Sequence, residues 1–127
     1  MQRLLKRQDF LFVRDGRRAN APTLSLQARR REGDPQGGEP RAGFTVTKKE
    51  GCAVERNRIR RRLREAVRLH GALQARPGYD YVIVGRRSAL GASFATIVNE
   101  LLTAFGRVHA ERPGARPARR SAEEAVR

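Results

Sequence analysis

The hydrophobic pattern of the chain predicts an α+β single domain, with about three helices packed on a mainly antiparallel sheet. Three observations lead there. Two stretches alternate apolar and polar residues with the period of a strand, Leu24 and Leu26 against Ser25 and Gln27, and Phe44 and Val46 against Thr45 and Thr47. One run, Tyr81-Val82-Ile83-Val84, is continuously apolar, as a strand interior to a sheet would be. Two stretches space their apolar residues helically: Ile59, Leu63, Ala66 and Val67, then Phe94, Ile97, Val98, Leu101, Leu102 and Phe105.

In chain order, "RLLKRQDFLFVRDG" opens with a short helix over 8–15, where Phe10 and Val13 share a face and Gly16 stands at its end. A short strand near 17–21 can follow, then the strand around Leu24–Leu26. "REGDPQGGEP", 31–40, is a polar loop rich in glycine and proline, suited to a solvent-exposed connection between antiparallel strands. The strand over 41–49 leads into Gly51, which can turn the chain at positive φ without steric cost. A helix is predicted over 53–69. Pro77-Gly78 then turns into the apolar strand, and Ser93 or a near neighbour caps the last helix, predicted over 92–107. Beyond it, "RVHAERPGARPARRSAEEAVR" has little to bury. The expected division is a domain over 1–107 and a basic, disordered tail over 108–127.

The charge narrows the function. Lys and Arg number 28 against 13 Asp and Glu, a net charge of +15 and a pI near 11.7. Such an excess suits a polyanion partner and predicts salt-sensitive binding to nucleic acid, an anionic membrane surface being the competitor. The single cysteine, Cys52, permits no internal disulfide. No apolar run approaches the roughly 20 residues of a membrane span, and the N-terminus lacks the apolar core of a secretory signal. A soluble cytoplasmic protein is expected.

Side-chain catalysis is not indicated. His70 and His109 lie far apart at the edges of structured segments and read as surface histidines. Cys52 has no cysteine partner for zinc and no convincing His and Asp/Asn set for nucleophilic work. No cluster of carboxylates suggests a two-metal site, and "EGCAVERNR" lacks the P-loop pattern. Neither catalytic nor metal-ligating residues are assigned.

The densest feature is the helix "AVERNRIRRRLREAVR". Seven arginines fall within the thirteen residues from Arg56 to Arg68, opposite or flanking an apolar arc of about 100°. Glu65 is the only acid after Glu55 there, so internal pairs cannot quench the ridge. A merely solvated face would leave these charges repelling one another at helical spacing. A basic zipper would need heptads after the basic region, and a helix-turn-helix would need a preceding helix; here the pattern stops near Gly71 and a strand precedes. An α+β domain with basic edges fits structured RNA, recognised by shape and backbone.

At this point the residues carry a resemblance. "GFTVTKKEGCAVERNRIRRRLREAVR", Gly43 to Arg68, resembles the signature of the bacterial ribonuclease P protein family: a strand ending in Ser/Thr-Lys-Lys, a Gly turn, Ala-Val, and an Arg-Asn-Arg motif, here Arg56-Asn57-Arg58, continued by Ile59, Arg61, Leu63, Arg64 and Glu65. "DFLFVRDG" is similar to an early segment of the family and "DYVIVGRRSA" to a later strand, extending the resemblance over 3–107. It implies an α/β sandwich of the ribosomal protein S5 domain 2-like kind, in which the motif helix joins two parallel strands by a left-handed crossover. It implies an accessory subunit that binds a catalytic RNA, one to one, and the 5′ leader of precursor tRNA. The RNA, with Mg2+ bound mainly by the RNA, removes the leader hydrolytically.

Carried over residue by residue, the resemblance implies contact with the catalytic RNA by Lys48, Lys49, Arg56, Asn57, Arg58, Arg60, Arg61, Arg62, Arg64 and Arg68. It implies a leader cleft beside Phe10, with Arg14, Arg17 and Arg18 near it. Phe10 and Val13 also read as core. Three positions depart from the pattern: Cys52 where Lys or Asn is usual, "VGRR" for Ala-Arg-Pro, and Gln27 where some relatives place an aromatic. The runner-up is another RNA-binding or ribosome-associated protein without associated cleavage.

Overall fold

The computed structural model describes residues 2–4, 6–31 and 38–110. Eight regular elements follow in order: β1 (Gln2–Arg3), α1 (Arg7–Arg14), β2 (Arg17–Asn20), β3 (Leu24–Arg30), β4 (Arg41–Thr45), α2 (Ala53–Leu69), β5 (Tyr79–Gly85) and α3 (Phe94–Val108). Short 3-10 turns at Lys48–Glu50, Gly71–Leu73 and Arg87–Leu90 join the later ones. The 32–37 part of the polar loop and the tail from 111 onward lie outside the described residues.

The sheet order is β1-β4-β5-β3-β2. The α+β class holds, with a mixed sheet in which antiparallel residue pairs outnumber parallel ones. β1 with β4 and β4 with β5 are parallel, while β5 with β3 and β3 with β2 are antiparallel. Thus β3 and β4 do run in opposite directions, as the loop suggested, but β5 lies between them. That central place explains the unbroken apolar run of β5.

One sheet face carries Ala19, Leu24, Leu26, Ala28, Ala42, Tyr81 and Ile83 and forms the main core. Above it lie Ile59, Leu63, Ala66 and Val67 of α2, and Ile97, Leu101, Ala104 and Phe105 of α3. The stripe read from the sequence of α2 is the set that is buried. At Gly85 the helix comes close: a Cβ there would stand 2.6 Å from Ile59 Cγ2 and 2.9 Å from Leu63 Cδ1.

The other face is only partly roofed. Leu4 and Val13 meet Val82, with Phe10, Phe12 and Val84 packed beside them. This roof corrects the expectation that β3 buries one face. Ser25 and Gln27 are also buried, because α1 and the Arg86 side chain cover ground that strand alternation assigns to solvent.

At the end of the sheet where β4 and β5 begin, the carboxylate of Asp80 is 1% exposed. Arg41 grips it with two bonds of 2.9 and 2.7 Å, and Arg31 adds one of 2.6 Å. Three strands are thereby tied at one end. A buried carboxylate needs such partners, and removing one from a buried pair typically costs about 3–5 kcal/mol.

The domain extends past its expected boundary at 107. Val108 closes α3 and is buried, and Arg17 Nη1 donates to the carbonyls of Val108 and Ala110, each at 2.9 Å. His109 is likewise buried, not a surface histidine. The Tyr81 hydroxyl accepts a bond from the Arg76 N–H at 2.8 Å and lies 2.6 Å from His109 Nε2. Burial, with the charges of Arg76 and Arg17, pushes the His109 pKa down to about 4.

Two predictions follow from this packing. Below about pH 6.5 the unfolded chain takes up a proton on His109 that the folded one refuses, so stability falls as pH drops from 6.5 toward 4. Thermal melts across that window will show the decline, and His109→Gln will flatten it, whereas loss of the low-titrating Glu55 carboxylate falls in a separate window, between about pH 4.5 and 2. Second, Gly85→Ala overpacks the seam under Ile59 and Leu63 and costs about 1–3 kcal/mol in denaturant unfolding; an unchanged midpoint would show that α2 yields freely.

Candidate nucleic-acid interface

α2 begins at a turn built for it. Gly51 has φ +147°, a conformation that side-chain-bearing residues rarely adopt, and Cys52 is the N-cap. The Glu55 carboxylate reaches back to accept the Cys52 N–H at 2.9 Å, as the third residue of a capping box does. Lys48 and Lys49, expected at the end of a strand, lie in the preceding 3-10 turn, because β4 stops at Thr45; both are exposed.

The arginines of α2 divide by what holds them. Arg62 donates to the carbonyls of Ala89 and Leu90, and Arg56 Nε to that of Gly51 at 3.1 Å; both are partly covered. Arg60 bonds Asn57 Oδ1 at 2.6 Å, and Arg68 pairs with Glu65 at 2.6 Å, holding that carboxyl below its ordinary value. Arg64 stands over the Phe44 ring, 5.8 Å from its centroid. Arg58 and Arg61 are exposed and make no bond or ion pair with the described residues. With Arg64 they form a ridge at three-residue spacing, open for charge-assisted bonds to phosphate.

The unroofed part of the sheet is a second surface. The Phe10 ring, partly buried, lies over β4 where there is no side chain: a Cβ on Gly43 would come within 2.5 Å of Phe10 Cζ. Phe10 thus packs on the minor core and still shows an edge. Arg14 is exposed in the last turn of α1. Arg18 is exposed on β2 opposite Gln27, on the face that α1 shares. Arg17, expected near the same cleft, belongs to the opposite face. It pairs with Ala28 of the main core and is tied to the end of α3, since neighbouring strand residues point to opposite sides.

Arg86 was missed as a site residue. It follows β5 in phase with Val82 and Val84, and that alternation is the signal that places it on this face. Its Nη2 donates to Ser25 Oγ at 2.8 Å, and the Ser25 hydroxyl donates to Asn20 Oδ1 at 2.7 Å. Its Nε is buried without a hydrogen-bond partner. This face of the sheet therefore holds a cation with an unsatisfied donor.

The other chemistry-bearing groups are dispersed. His70 and Cys52 are exposed, and His109 is sealed against Tyr81. Asp80, Glu55, Glu65 and Glu100 are engaged by arginines or by Thr23. Among the described residues no group of three or more His, Cys, Asp or Glu could hold a metal ion. No described helix is long and apolar enough to cross a membrane.

Comparison with known proteins agrees with this geometry. The family model described as Ribonuclease P matches residues 1–109. A ribonuclease P protein component of Brucella suis is 48% identical over 104 residues, covering 78% of this chain and 74% of its own. That of Ruegeria pomeroyi is 45% identical over 112 residues, covering 87% and 88%. The solved RNase P protein from Thermotoga maritima matches with a TM-score of 0.68 at 26% identity, over 84% of this chain and 97% of that one. The Staphylococcus aureus RNase P protein shares the fold with a TM-score of 0.69 at 24% identity, over 86% and 96%. A basic motif helix seated on a mixed sheet, a family model spanning almost every described residue and relatives near half identity lead to one conclusion: the chain belongs to the Ribonuclease P family.

Proposed function

We propose that the chain is the protein subunit of a cytoplasmic ribonuclease P, bound one to one to the catalytic RNA and assisting removal of the 5′ leader from precursor tRNA. The observation that carries this is the ridge of Arg58, Arg61 and Arg64 on the Arg-Asn-Arg helix, with two of its guanidinium groups unpaired. Guanidinium groups that neutralise phosphates release the counterions condensed on the RNA and so gain affinity without reading sequence.

The two surfaces suit two partners. The ridge, with Lys48 and Lys49, meets the folded RNA through its backbone. The half-covered face of the sheet beside α1 takes the single-stranded leader: the exposed part of Phe10 offers an apolar contact to a base, while Arg14, Arg18 and Arg86 supply charge along it. The reaction is hydrolysis of a phosphodiester by the RNA with Mg2+. The part of the chain is to bind and orient the two polyanions and offset their repulsion with its arginines.

Replacing Arg58 and Arg61 together by Ala will weaken binding to ribonuclease P RNA and make the plot of log affinity against log salt shallower by about 1.5, the slope of two lost phosphate contacts. An unchanged slope would take both residues out of the interface. At low magnesium, correct 5′ processing of a precursor tRNA will rise when protein and RNA are combined and will be absent with protein alone. Tight RNA binding without stimulation would favour an RNA-binding protein outside tRNA maturation.

A further inference from the structure

The 3-10 turn Arg87–Leu90 clasps α2 at two points. Arg62 of the helix donates to the Ala89 and Leu90 carbonyls, and Arg87 of the turn forks onto Glu55 with two parallel bonds of 2.9 Å. The backbone N–H of Arg87 binds the Glu50 carboxylate at 2.8 Å, and its Nη1 binds the Glu50 carbonyl at 3.1 Å. Gly51 leaves the room this needs: a Cβ there would lie 2.5 Å from Glu55 Oε1 and 2.7 Å from Arg87 Nη1.

Glu55 has a cost as well as a use. It caps the first turn of α2, but its negative charge sits beside Arg56, Asn57 and Arg58, where a phosphate backbone is expected. The positive end of the helix dipole favours that phosphate, and an unmasked carboxylate competes for the same field. Arg87 removes the competition without removing the cap. The pair is exposed, so its contribution to folding is small; its effect is on what approaches the helix.

We infer that Arg87 is a positioning residue for RNA binding, which neutralises Glu55 and holds the first turn of the Arg-Asn-Arg helix in a phosphate-accepting state. This rests on the proposed RNA-binding function. It also gives a role to a position that the sequence marked only as a departure, the second arginine of "VGRR".

The test is a charge cycle in the full chain, with ribonuclease P RNA as the probe and thermal melts confirming that each variant is folded. Arg87→Ala bares Glu55 and is expected to weaken RNA binding about tenfold at low salt, an effect that fades as salt screens it. Glu55→Gln is expected to bind at least as well as the parent. The double variant R87A/E55Q restores the parent net charge and is expected to recover binding to within about threefold. Arg87→Lys keeps the charge but not the fork, and is expected to lie between the parent and R87A. If the double variant stays as weak as R87A, or if E55Q alone is equally weak, charge masking is overturned. If the unmodified protein does not bind the RNA at all, the proposed function falls first.

Discussion

The close seat of α2 on the sheet is the constraint on which the rest depends. Seven arginines on two faces of one helix would drive an isolated segment apart, at about 0.2–0.5 kcal/mol for each like pair at helical spacing. Burial of Ile59, Leu63, Ala66 and Val67 opposes this, and each large side chain taken fully out of water contributes about 1.5–3 kcal/mol. Burial prevails, but only because Gly85 lets the helix come down far enough to be covered. The charge is thus carried by an element whose fold is secured from its other side.

The same logic separates the two faces of the sheet. The face under α2 and α3 is covered by both helices, and within it Tyr81 and His109 bond each other. The face under α1 is half-covered by one eight-residue helix. There Arg86, Ser25 and Asn20 form a hydrogen-bonded polar chain, with Arg18 exposed beside it. At the opposite end Asp80 closes the sheet by drawing in Arg31 and Arg41, so those cations serve the fold and are withheld from ligands.

Much of this was legible in the residues. The bounds of α2 follow from a 3.6-residue stripe between Gly51 and Gly71, and the interior place of β5 from four consecutive apolar residues. The Arg-Asn-Arg motif and the residues around it identified the family. What stayed hidden depends on contacts between distant segments. Arg17 and Arg18 differ by one register step, which sends one to each face, and no local pattern sets that register. The double-sided burial of β3 needs the roof of α1. His109 is buried because the end of α3 returns to Tyr81, 28 residues earlier in the chain. The pairing of Arg87 with Glu55 spans 32 positions, and nothing at either position alone announces it.

The placement of β5 has a consequence for how the chain comes to its fold during synthesis. β3 and β4 are made first, yet neither pairs with the other; each waits for a strand that arrives only after α2 is complete. Hairpin β2–β3 and helix α1 can form from local contacts, but the sheet closes only when 79–85 slide between their two neighbours, a non-local step of the kind that slows folding. A nascent chain that ends between Leu69 and Tyr79 already carries every arginine of the motif helix and still lacks the central strand on which that helix is seated.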